Sequence, residues 1–299
     1  MIEFKEINID GVEYSMLQCQ ERRDYFDDSQ NYDNSMSLLT LIQQYCNTII
    51  PTVKPSDIDI TRSLIGDNCN IPYNVVLQNC AIAMKEYIEE YILKQLNQDN
   101  VGRFKDKITY LAIDFEYFCY DAERECKGTD LKPMKPTAGR RSCLSDFDIK
   151  MTLKSLFYFE TVEKVEHVQN SDMHTVAIAM LRLYIDRALL NALPYKKIIK
   201  QNNGKEVKMT GLRREFLKEL YENGDAVLLN RDYAETLVLA YSWCCDAVHY
   251  GALPYEFISD WTIMHVIKQE KLFNDTAAMK TRFDAFLTTK IRSNCSVEW

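Results

Sequence analysis

The chain has 299 residues, of which 46% are apolar and 27% charged, and a formal charge of −8. That is enough length for one large or two ordinary hydrophobic cores, with an ordinary globular composition that excludes disorder. The acidic balance argues against a general non-specific nucleic-acid binder, which needs basic surface to displace counterions, but leaves room for a local basic patch. Only 9 Gly and 7 Pro favour helices over a sandwich or barrel. The 10 cysteines include no C-x-x-C pair, and most stand singly in apolar runs, as buried reduced thiols do. The start, Met1-Ile2-Glu3-Phe4-Lys5-Glu6, is acidic and alternating and is not expected to be a signal peptide, and no apolar run reaches transmembrane length. A cytosolic, membrane-free protein is expected.

In chain order, residues 2–17 read as a β-hairpin: Ile2, Phe4, Ile7 and Ile9 partly alternate, Asp10-Gly11 supplies the turn, and Val12, Tyr14 and Met16 resume the alternation. The period then turns helical. Helices are predicted at 35–49, closed by Pro51 and Pro55, at 75–96, and at 105–126, ended by Gly128. Lys127 to Arg141 carries two glycines, two prolines and five basic residues, so it reads as a boundary. The expected division is a module at 1–128, a linker at 129–142 and a helical domain at 143–299. Ser145 then reads as an N-cap with Asp148 three residues on, opening a helix to about Phe159. Further helices are predicted near 172–193, 210–223, 230–250, 255–273 and 275–291. The fold class is mainly α, with no strands after the hairpin.

Two acidic patterns imitate metal enzymes. Asp114-Phe115-Glu116 imitates the D-x-E start of an exonuclease strand, but helical periodicity runs through it and separates the two carboxylates. A solvated helix surface is the expectation. Asp146-Phe147-Asp148-Ile149-Lys150 is better explained as a capped first turn. No phosphate loop, nucleophile elbow or metal triad occurs, and no cofactor is expected.

A local reversal of sign is more informative. From Lys196 to Lys218, eight basic residues (Lys196, Lys197, Lys200, Lys205, Lys208, Arg213, Arg214 and Lys218) face two acids. The net of +6 runs through a Gln201-Asn202-Asn203-Gly204 loop into a helix start. It suits a phosphate-contacting edge that binds RNA, and equally a solvated loop or a docking face for an acidic protein.

The densest chemistry lies in Ala240-Tyr241-Ser242-Trp243-Cys244-Cys245-Asp246-Ala247-Val248-His249-Tyr250-Gly251, where an acid and a histidine sit one turn apart at a helix end. Three uses of His249 stay open: a capping or core histidine, an active-site base, or, with Cys245 four residues before it, a metal ligand. Two ligands make no closed site, so no metal is expected.

Upstream stands Val176-Ala177-Ile178-Ala179-Met180-Leu181-Arg182-Leu183-Tyr184-Ile185-Asp186-Arg187, then a polar insertion, then Leu212-Arg213-Arg214-Glu215-Phe216-Leu217. With the Asp246–His249 helix end, this order over residues 171–275 resembles the HEPN superfamily, the helical bundles of prokaryotic toxins and antiviral defence proteins. The resemblance implies a HEPN-like bundle in which Arg182 and Asp186 form the polar pair of the first helix, and Asp246 and His249 close the later one. It also implies a homodimer or a multi-protein complex. This chain departs from the ribonuclease members: Ser242, Trp243 and Cys244 stand where their arginine would, and Cys245 replaces their asparagine. RNA cleavage without metal needs a base and a cation for the phosphate. The expected function is therefore a non-catalytic HEPN-like assembly or recognition module of a nucleic-acid conflict system. The alternatives are an atypical metal-independent ribonuclease, using His249 with Asp246 and Arg182, and a structural subunit with no nucleic-acid role.

Overall fold

The structure is a computed structural model that describes residues 4–9, 12–17, 32–66, 71–126, 140–143, 171–209, 211–250, 252–268 and 270–299. The predicted helix at 145–159, with Asp146, Asp148 and Lys150, lies outside the described residues. The chain is mainly helical, and no helix among the described residues is long and apolar enough to cross a membrane. It forms two compact units. Unit 1 comprises residues 1–178 and 246–263; unit 2 comprises 179–245 and 264–299.

In unit 1 the strands β1 (Phe4–Ile9) and β2 (Val12–Leu17) pair antiparallel, with Phe4 opposite Leu17. Helix α1 (Tyr32–Ile49) buries Leu38, Leu39, Ile42, Tyr45 and Cys46, the one-sided spacing expected of an amphipathic helix. Helix α2 (Asp57–Ile65) starts at Ser56, whose Oγ accepts from the Asp59 N–H, and stops at Gly66. Helix α3 (Tyr73–Glu86) is buried nearly all round from Val76 to Met84, and continues into a π-helical turn, Tyr87–Ile92. It is the centre of the unit, with α1, α2 and α4 (Val101–Cys126) packed on it. Tyr45 meets Phe115 and Phe118 edge-on at 5.1 and 6.1 Å, a geometry that suits the ring quadrupoles.

Asp114 corrects its sequence reading. It lies on a helix, as the periodicity predicts, but it is fully buried rather than solvated. Its Oδ2 accepts from the Glu256 N–H at 2.7 Å, at the first residue of a later helix, α8 (Glu256–Val266). A carboxylate placed there satisfies an orphan N–H and sits at the positive end of the helix dipole. Trp261 of α8 is also fully buried, its indole N–H donating to Glu86 at 3.0 Å. A four-residue strand, β3 (Arg140–Cys143), pairs with β5 (Ala252–Pro254).

Unit 2 holds most of α5 (Ser171–Ala192), then β4 (Lys197–Lys200), α6 (Leu212–Glu222), most of α7 (Arg231–Tyr250), α9 (Thr276–Ile291) and β6 (Cys295–Glu298). Its core is aromatic. Phe216 of α6 stands 5.1 Å from Phe283 and 5.4 Å from Phe286 of α9. Asp275 caps α9, accepting from the Ala277 N–H at 2.7 Å.

Two expectations fail here. The second half is not free of strands: β4 and β6 pair antiparallel, with Ile198 opposite Val297, because the β-branched Ile198 and Val297 suit a half-buried ribbon. The helix predicted over 255–273 ends at Val266. Beyond it the backbone turns to meet 227–229 instead, with Leu229 N–H donating to Leu272 at 2.8 Å and Leu228 bridging Phe273. Those pairings satisfy groups that a longer helix would otherwise use internally.

Candidate functional site

The residues that matter most in unit 2 come from three helices. Arg182 lies in the middle of α5, Arg214 is the third residue of α6, and Tyr241 lies in α7 with its side chain buried. Arg214 stacks on the Tyr241 ring with its guanidinium carbon 3.8 Å from the centroid. Arg182 approaches the same ring at 5.4 Å, and its Nη2 donates to the Tyr241 hydroxyl at 3.4 Å. One phenol thus holds two guanidinium groups that would otherwise repel each other, through cation–π attraction and one hydrogen bond. That hydrogen bond, with smaller help from the Asp186 charge, pushes the Arg182 pKa above its ordinary value.

Gly211 makes the approach possible. It precedes α6 with φ of 85°, the left-handed region that favours glycine, and a side chain there would stand 3.1 Å from the Arg214 guanidinium. Beside this cluster lies a cavity of about 290 Å³, lined by Asp186, Tyr195, Met209, Gly211, Arg214 and Tyr241 among others. Asp186 is exposed, one turn along α5 from Arg182. Arg182, Asp186 and Arg214, chosen from separate stretches of sequence, are therefore neighbours. Tyr241 is the part the sequence reading missed as a site residue. Its signal was an aromatic on the helix that also carries Asp246 and His249.

Arg213, the other half of the Arg-Arg pair, does something else. Its Nε and Nη2 donate to the carbonyls of Leu193 and Tyr195, both at 2.9 Å, and its guanidinium lies 4.0 Å from the Tyr195 ring centre. Tyr195 in turn stacks on Phe283 at 5.1 Å. Arg213 thus joins α6 to the end of α5, and it lines the same cavity as Arg214.

The basic stretch is not one continuous edge. Lys196, Lys197 and Lys200 belong to or adjoin β4, where Lys197 pairs with Glu298 at 2.9 Å. The Gln201–Gly204 segment is a tight turn: Gly204 N–H donates to Lys200 and Lys200 N–H to Lys205, both at 2.9 Å. Lys205 and Lys208 follow it on exposed backbone, and Lys218 pairs with Glu222 along α6 at 3.7 Å.

Asp246 and His249 lie in the last turns of α7, Asp246 exposed, while the His249 side chain lies outside the described ones. The division between the units falls between Cys245 and Asp246, so Asp246 and His249 belong to unit 1 and Arg182 and Asp186 to unit 2. Cys244 is buried and Cys245 half-buried; burial pushes the Cys244 thiol up to about 12. Among the described residues no cluster of three or more His, Cys, Asp or Glu suits a metal ion.

Compared with protein-family models, curated proteins and solved structures, the chain gives no match in any of the three. Arg182 and Arg214 share one ring, and Arg214 lines the adjoining cavity with the Asp186 carboxylate. That arrangement presents planar, charge-fixed donors to an anion, and guanidinium forks match phosphate oxygens in pairs.

Proposed function

We propose that this chain is a cytosolic component of a prokaryotic nucleic-acid conflict system. Its N-terminal strands form a hairpin module, and its C-terminal half is a HEPN-like bundle that recognises RNA without cutting it. The observation that carries the reading is the Arg182–Tyr241–Arg214 cluster. It supplies positive charge held in place by packing, in a protein whose net charge is negative. Phosphate contacts position a strand without reading its bases, and arginines that stack on a tyrosine lose less conformational freedom on binding than free ones. Pairing of such bundles into a homodimer or a larger complex belongs to the same proposal.

Fluorescence anisotropy with a single-stranded RNA, titrated over salt, tests it. Arg182→Ala and Arg214→Ala should each weaken binding by roughly tenfold. Each should also lower the slope of log affinity against log salt by ~0.7, the value for one phosphate contact on a single strand. Unchanged affinity in both variants would overturn the reading. The same RNA incubated with and without magnesium, alongside His249→Ala, decides catalysis. Metal-independent cleavage that disappears in the variant would replace the recognition reading with the ribonuclease one.

A further inference from the structure

Helix α5 is apolar on two opposite faces. One faces the core of unit 2, where Leu181, Ile185 and Leu189 are buried. The other is open: Met180 is 58% exposed, Leu183 56% and Leu190 37%. No other element among the described residues carries two exposed large apolar side chains. Such side chains scattered singly are ordinary, whereas a row of them on one helix face marks a surface that another molecule covers.

The row has a definite period. Met180 and Arg187 are seven residues apart, as are Leu183 and Leu190, and the steps of three, four and three keep all four on one stripe. This is the a/d pattern of a helix that packs on another helix, with leucine at both d positions and one charged residue, Arg187, at an a position. Asp186, also exposed, stands just before Arg187 on the flank of the stripe.

Those two charges select the occupant. In a parallel, in-register pair of α5 helices, the side chain at an a position enters a hole whose wall includes the residue preceding its counterpart. Arg187 of each copy then meets Asp186 of the other, twice by symmetry. An antiparallel pair instead sets the Asp186 flanks of the two copies against each other. An acidic partner is repelled by Asp186 and a basic one by Arg187; a second copy satisfies both. The Arg187 stems lie along the leucines while their heads reach the carboxylates, and one charged residue in such a seam fixes its register. We propose that this face of α5 binds α5 of a second copy of the chain, parallel and in register, through Leu183, Leu190 and reciprocal Asp186–Arg187 pairs. This gives a surface to the homodimer of the proposed function, and it rests on that pairing and not on RNA recognition. Four positions make a short seam beside the ~800 Å² per partner of a standard stable interface, so the pair forms and separates in the micromolar range.

Sedimentation velocity of the full chain across micromolar concentrations tests it. Expected is a concentration-dependent rise from 35.0 kDa to twice that mass. Leu183→Glu with Leu190→Glu, both at exposed positions, should abolish the rise while the far-ultraviolet circular dichroism stays that of wild type. Asp186→Arg and Arg187→Asp each set like charges together and should weaken association at least tenfold. Combined, the two reversals rebuild the reciprocal pairs and should return association to within about threefold of wild type, an outcome that general loss of structure would not give. Arg214→Ala should sediment as wild type even where it loses RNA, so failure of the RNA reading and failure of this one are told apart. The proposal is overturned by a monomer throughout the micromolar range, by undiminished association of the double glutamate variant, or by a double reversal no better than the single ones.

Discussion

Asp114 makes the sharpest stability prediction, because its sequence reading and its structure disagree in kind. A carboxylate on a solvated helix face can be replaced by alanine at a cost within about 0.5 kcal/mol. The structure instead buries Asp114 completely and directs it at the Glu256 N–H, 2.7 Å away. Asp114→Ala removes a charge-assisted hydrogen bond, worth about 1.5–3 kcal/mol. It also removes a negative charge at a helix N-terminus, worth a further ~0.3–1 kcal/mol. The expected loss is therefore about 2–4 kcal/mol, concentrated where α8 joins α4. Asp114→Asn keeps an acceptor of the same shape and should recover about half of it. Two compact units need not unfold as one, so a single global midpoint is the wrong readout. Hydrogen exchange resolved by peptide is better: amides of the first turn of α8 should lose protection by roughly 30- to 700-fold in Asp114→Ala, at 1.4 kcal/mol per tenfold. Exchange within twofold of wild type there would show that Asp114 does not hold this helix.

Three further outcomes follow from unit 1 and unit 2 separately. Lys107 is half-buried between Asp260 at 2.6 Å and Glu256 at 3.4 Å; burial opposes its charge, but the two carboxylates still raise its pKa. Lys107→Met strands both acids and should cost about 2–4 kcal/mol, read by peptide-resolved hydrogen exchange in α4 and α8, whereas Lys107→Met with Asp260→Leu should recover part of the loss. Burial pushes the thiols of Cys46 and Cys244 up, so both should stay unlabelled by a thiol reagent in the native protein and react after unfolding, while half-buried Cys245 and Cys295 react first; peptide mass mapping reads this directly. Burial holds the Tyr233 phenol up at about 12, above its ordinary value, so the fold favours the protonated form. Its contribution to stability is full below about pH 10, the unfolded value, and is lost as the pH rises to about 12. The urea midpoint of unit 2 should fall across that window more steeply in wild type than in Tyr233→Phe.

The helices were legible in the sequence wherever apolar residues recurred on one face. Leu38, Ile42, Tyr45 and Cys46 of α1 and Leu212, Phe216, Leu217 and Leu220 of α6 are buried as their spacing implies. What stayed hidden depended on partners distant in sequence. The run of 255–273 is helical in pattern, yet its last third pairs with 227–229, and no local propensity reports that. The β4–β6 ribbon joins residues nearly a hundred positions apart, so only the β-branched pair Ile198 and Val297 hinted at it. Asp114 misled for the same reason: its partner, the start of α8, lies 142 residues downstream.

The arginine pair shows how little of a site composition can carry. Arg213 and Arg214 are adjacent, equally charged and both part of the +6 stretch, yet helical geometry turns successive side chains about 100° apart. One turns toward the end of α5 and is consumed by two carbonyls; the other turns toward α7 and lies on Tyr241. Counting charge treats the two as equivalent, but only one has its guanidinium at the cavity with no role in holding the backbone. The same holds for the lysines of β4, whose strand pairing with β6 puts Lys197 against Glu298 rather than beside Arg214. The useful charge in unit 2 is thus smaller than the sequence total and more precisely placed, and its chemistry is set by the ring that Arg182 and Arg214 share.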